Sequence, residues 1–135
     1  MIDRIDAALL PQRTALNLRG YRQELLASNI ANADTPHYKA RDIDFKTAFS
    51  KALADRDPGA LGLRQTSSRH LAGAPGAPFD QLAQYRTEYQ SAVDGNTVNM
   101  DIERSAFADN AIHMEASLTF IRNRFEGLSR ALQSN

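Results

Sequence analysis

The stretch Ala27-Ser28-Asn29-Ile30-Ala31-Asn32-Ala33-Asp34-Thr35-Pro36-His37-Tyr38-Lys39-Ala40-Arg41-Asp42-Ile43-Asp44-Phe45 decides the architecture, because within it a helix gives way to extended chain. Leu25, Leu26 and Ile30 carry a helical spacing into it. Asn32, Asp34 and Thr35 then bring side chains that compete with the helix for backbone partners, and Pro36 disfavours a helical residue before it. Beyond Pro36 a two-residue period predicts a strand, with Tyr38, Ala40, Asp42 and Asp44 on one side and Lys39, Arg41, Ile43 and Phe45 on the other. The segment offers no nucleophile and no set of metal ligands. It reads as architecture.

Working outward, three zones separate by composition: a helical part over 1–34, a middle over 35–99, and a second helical part over 100–135. In the last zone Phe107, Ala111, Met114, Leu118, Ile121, Phe125, Leu128 and Leu132 follow an alternating four-three spacing, which is a heptad seam that wants a partner helix. Ile102, Ile112, Ala116 and Phe120 collect on the opposite side and give the helix a second apolar face. The first zone repeats the theme. Leu9, Leu16, Leu26 and Ile30 share one side and Leu18, Tyr21 and Leu25 another, with Arg13, Asn17 and Glu24 between them. Pro11 predicts either a helix that starts near Leu10 or a separate kinked segment over 2–9. The fold expected is therefore mainly α: long terminal helices in an antiparallel coiled-coil layer, with a small, partly β, loop-rich middle. Between Pro58 and Pro78 lie four of the seven glycines and three of the five prolines, so 54–79 reads as a loose spacer.

Sixteen basic and sixteen acidic residues cancel, and no basic run concentrates, which argues against nucleic acid as a partner. The absence of cysteine removes disulfides, thiolate metal sites and cysteine nucleophiles. The apolar run Ala7-Ala8-Leu9-Leu10 is bounded by Asp6 and Pro11, too short for a signal-peptide core or a membrane span. His37, His70 and His113 lack any spacing that would gather two on one ion. Asp94-Gly95-Asn96-Thr97-Val98-Asn99-Met100-Asp101 places its glycine second instead of sixth for a calcium loop, and Ser105 stands where a bidentate glutamate belongs. It reads instead as an Asp-Gly turn into a helix capped by Asn99, with Asp101 and Glu103 in the first turn. No cofactor is called for, and the expectation is a structural protein and not an enzyme. A cytoplasmic helical-hairpin adaptor that binds one partner helix is the alternative from another class.

The segments Met1 to Leu9, Ala15 to Arg19, Leu26 to Pro36, Tyr38 to Phe45 and Asp94 to Asp101, with Thr66-Ser67-Ser68 and His70 in the middle, together resemble the proximal-rod members of the bacterial flagellar basal-body rod proteins. The segment Asn29-Ile30-Ala31-Asn32-Ala33-Asp34-Thr35-Pro36 resembles one shared among axial proteins, and Arg41 to Phe45 combined with Asp94 to Asp101 narrows the resemblance to the proximal rod, with Tyr38 and Asp94, Gly95 and Asn96 as further motif and turn positions. His37 stands where that family usually has glycine, and Pro11 stands within its first helix. The resemblance implies a rod subunit whose terminal helices surround a central channel and transmit torque. It also implies export without a cleaved signal through the flagellar type III apparatus to a periplasmic rod. The partners implied are other copies and other rod subunits, the rod adaptor FliE and the export-gate proteins.

Overall fold

A computed structural model describes residues 2–54, 79–87 and 93–133. The spacer expected over 54–79 lies outside the described residues except at its two ends, as do Thr66, Ser67, Ser68 and His70. Two long helices dominate, α1 over Ile2–Ala31 and α3 over Met100–Gln133. They run antiparallel, since Asn29 near the end of α1 meets Glu103 at the start of α3 while Arg19 and Gln23 meet Asn110 further along. At a rise of 1.5 Å per residue α3 is about 50 Å long.

α1 is one helix across Pro11, not a helix beginning near Leu10 or a separate kinked segment over 2–9. Proline deprives the carbonyl of Ala7 of its usual donor, a local loss that the surrounding turns tolerate. Asn99 caps α3 as its sequence predicts: its Oδ1 accepts from the backbone N–H of Asp101 at 3.1 Å and of Ile102 at 3.3 Å.

The middle is less extended than its alternation suggests. β1 covers only Arg41–Ile43 and pairs antiparallel with β2, Ala83–Tyr85, in the register Arg41 with Tyr85, Asp42 with Gln84 and Ile43 with Ala83. Phe45, expected at the end of the strand, instead opens a helix, α2, over Phe45–Ala54. Asp44 makes the switch: its carboxylate accepts from the Lys46 backbone N–H and from the Thr47 hydroxyl, and its carbonyl accepts from the Ala48 N–H. The Thr47 hydroxyl, foremost, holds the Asp44 carboxyl below its ordinary pKa. Ala40 lies just before β1, where its N–H donates to Thr97 Oγ1, so it and Ile43 are both buried although strict alternation puts them on opposite sides.

α1 is sandwiched. Leu18, Tyr21 and Leu25 form the apolar core with Ile43 and Ala48, flanked by Phe45, Phe49, Phe79 and Leu82. Phe45 and Phe49 stack at 5.9 Å between centroids, and the Arg19 guanidinium lies 4.2 Å from the centre of the Phe45 ring. The Tyr21 hydroxyl donates to Asp80 at 2.8 Å; burial, with the help of that carboxylate, pushes its pKa up to about 12. The side of α1 turned away from this core meets α3.

Candidate functional site: the helix junction and the open face of α3

The motif at the end of α1 is a hydrogen-bonded plug. Asn96, buried, points its amide nitrogen at the carbonyls of Asn32, Ala33 and Thr35, at 3.1, 2.7 and 2.9 Å, and so ties down the turn that follows α1, adding to the backbone bonds that the Asn32 and Thr35 carbonyls accept from Thr35 and Tyr38. Its own oxygen accepts from Val98 N–H at 2.8 Å. The His37 N–H donates to the Asp94 carbonyl, and the Thr97 N–H to that of Tyr38, so the two segments run side by side. Asn32 folds its amide back on the Ser28 carbonyl at 2.8 Å, and the Thr35 hydroxyl donates to the Asn32 side chain. Asp34, Thr35 and Pro36 are exposed. His37 takes a left-handed φ of 61°, which explains why glycine suits that position. Gly95 needs to be glycine twice over: its φ is 71°, and a Cβ there would stand 2.9 Å from His37 Nδ1.

Asn29 is the hub behind the plug. Fully buried, it donates to the Arg41 carbonyl at 2.8 Å and to Glu103 Oε2 at 3.1 Å. Its oxygen accepts from the Arg41 N–H and from the hydroxyl of Tyr38, which also meets Ser28 Oγ. From Glu103 a chain of alternating charge runs across four parts of the fold. Arg86, just past β2, reaches Glu103 at 2.6 Å and Asp42 at 2.7 Å, and Arg22 of α1 grips Asp42 with two bonds of 2.8 and 2.9 Å. Further along, Asn110, also fully buried, donates to the Arg19 carbonyl at 2.9 Å and to Gln23 Oε1 at 2.6 Å.

Burial works to raise the Asp42 carboxyl, yet the hydrogen bonds from Arg22 and Arg86 outweigh it and hold the group below its ordinary value. The folded chain therefore binds this proton less readily than the unfolded chain. The stabilisation is complete above the unfolded pKa of about 4 and is lost as pH falls through the depressed folded value. Urea midpoints measured from pH 7 to pH 3 should fall steeply at the acid end. Asp42→Asn should flatten that fall; an unchanged acid slope would exclude Asp42 as its source.

The expected seam meets α1 only at one edge. The packed stripe of α3 follows Glu103, Phe107, Asn110, Met114, Ser117 and Ile121, all buried or half-buried. Ala111, Leu118, Phe125, Leu128 and Leu132 are exposed. Leu118 sits beside Gln23, while Phe120 flanks a shallow groove with Pro11, Ala15 and Phe49. Ile112 is two-thirds exposed, at 67%. On α1, Leu18, Tyr21 and Leu25 are buried against the middle and Ile30 is half-buried. Among the described residues, Leu118, Phe125, Leu128 and Leu132 thus form an exposed apolar row along the second half of α3. Sequence reasoning passed over Arg22, Arg86 and Asn110 and read Glu103 only as a first-turn acid. Asn110 stands outside the apolar four-three seam, next to Ala111, so no local sign marks it as buried.

Among the described residues no helix is long and apolar enough to cross a membrane, and no group of three or more His, Asp or Glu residues could hold a metal ion. A family model described as flagella basal body rod protein matches residues 9–39, which take in most of α1 and the turn that follows it. Similarity to curated proteins extends over the whole chain. The flagellar basal body rod protein FlgB of Salmonella typhimurium is 48% identical, with 98% of each chain covered. That of Escherichia coli K12 is 46% identical over 99% of each, and that of Proteus mirabilis HI4320 44% over 98% of each. The chain belongs to the FlgB family of flagellar basal-body rod proteins. As a FlgB-family member it is a structural subunit of the basal-body rod.

Proposed function

We propose that this FlgB-family chain builds the proximal rod by laying the open face of α3 against helices of neighbouring subunits, so that torque passes through side-chain packing around a central channel. The observation that carries this reading is the row of exposed apolar residues Leu118, Phe125, Leu128 and Leu132, which the hairpin itself leaves unpaired. Its neighbours are other copies and other rod subunits, with the adaptor FliE and the export-gate proteins at the base. The chain reaches the periplasmic rod through the flagellar type III apparatus without a cleaved signal. The family relationship and the helical hairpin support this reading.

Phe125→Asp tests it, because Phe125 is 52% exposed and its loss removes little packing from the chain itself. The variant should keep its helix content by circular dichroism and its export, yet fail to enter basal bodies and leave cells non-motile. Normal incorporation of Phe125→Asp and of Leu132→Asp would show that this face is not the contact.

A further inference from the structure

The charge chain joins elements that are far apart in sequence, and its four members are not equivalent. Glu103 is fully buried on α3, whereas the side chains of Arg22, Asp42 and Arg86 keep 24, 17 and 17% of their exposure. A buried carboxylate without a cation is far costlier than one that is paired, so Glu103 can occupy its place against α1 only when Arg86 is there to meet it. Arg86 in turn is placed by the ribbon: its backbone N–H donates to the Ala40 carbonyl at 2.9 Å, extending the β1–β2 pairing, and its second guanidinium nitrogen rests on Asp42. With β2 unpaired, Arg86 is withdrawn and Glu103 must turn to water, which α3 cannot allow while its first turns lie on Asn29.

We infer that Arg86 and Glu103 form a latch that makes docking of α3 on α1 conditional on closure of the β1–β2 ribbon. The coupling is reciprocal: a closed ribbon holds α3, and with it the open face, in a fixed position, and a seated α3 holds the ribbon closed in return. A mere surface ion pair would have no such reach, since its loss would be felt only locally.

Hydrogen exchange on the full chain reads the difference. Arg86→Met should speed exchange about 100-fold or more through Met100–Asn110 of α3 and Arg19–Asn29 of α1, well beyond the ribbon that carries the substitution. Glu103→Gln removes the charge that needs Arg86 and keeps an acceptor for Asn29, so Arg86→Met combined with Glu103→Gln should recover protection in both helices to within about tenfold of the parent. Faster exchange confined to residues 40–43 and 83–86 in Arg86→Met would overturn the latch. So would a double variant as unprotected as the single one. Should Arg86→Met give no folded chain at all, the double variant still decides: recovery of a folded chain is the expected result, and continued failure refutes it.

Discussion

Asn29→Leu is expected to destabilise the chain by about 3–5 kcal/mol, the range for stripping partners from buried polar and charged groups. Leucine matches asparagine in size, so the loss comes from hydrogen bonds and not from a cavity. The Arg41 N–H and carbonyl lose their side-chain partner, and Glu103 Oε2 is left buried with no donor in place of the amide at 3.1 Å. Since a domain of this kind has roughly 5–15 kcal/mol of total stability, the substitution should bring it close to unfolding. Urea denaturation of the full chain measures this directly. A loss below about 1 kcal/mol would mean that water replaces the amide freely, and that the hub is wetter than its full burial indicates.

The second large effect belongs to Asn96. Asn96→Asp keeps the shape and the acceptor for Val98 but exchanges the donating amide for a carboxylate facing the carbonyls of Asn32, Ala33 and Thr35. Loss of those bonds combined with repulsion should cost about 3 kcal/mol, more than Asn96→Ala, which removes the amide and the acceptor for Val98 but sets no negative charge against the carbonyls, two of which keep the backbone donors Thr35 and Tyr38. Exchange of the amides around Tyr38 and Thr97 should rise with it. A ranking in which alanine is worse than aspartate would place the importance of Asn96 in its acceptor role toward Val98 and not in plugging the helix end.

How much of this could be read from the chain depends on whether a signal was local. The four-three spacing from Phe107 to Leu132 and the Asn99 cap are local, and they give α3 its extent. The break after Asn32 is local as well. Asp44 shows two local signals in conflict: it continues the alternation that begins at Tyr38, and it stands three residues before Thr47 at a helix start. Capping prevails because it satisfies donors that a lengthened strand would leave open. The charge chain is of another kind. Arg22, Asp42, Arg86 and Glu103 are 20, 44 and 17 residues apart along their successive bonds, and each alone looks like an ordinary solvated charge or, for Glu103, a first-turn acid. Their meaning arises only from the crossing of α1, the ribbon and α3. The same holds for the seam: its period reveals a helix that needs a neighbour, but the period does not say that Asn110 and Ser117 turn inward and rotate Ala111 and Leu118 toward the open.

The polar stripe between α1 and α3 also bears on how the hairpin answers force along its length. Leucine seams can slip by a turn and meet similar surfaces again. Amide and carboxylate partners resist this: a shift of one helical turn, about 5.4 Å, would carry Glu103 away from Asn29 and Asn110 away from Gln23 and break both sets of bonds. The two helices are keyed at both points, some seven residues of α3 apart, so shear meets directional bonds that must break together before either helix can creep past the other.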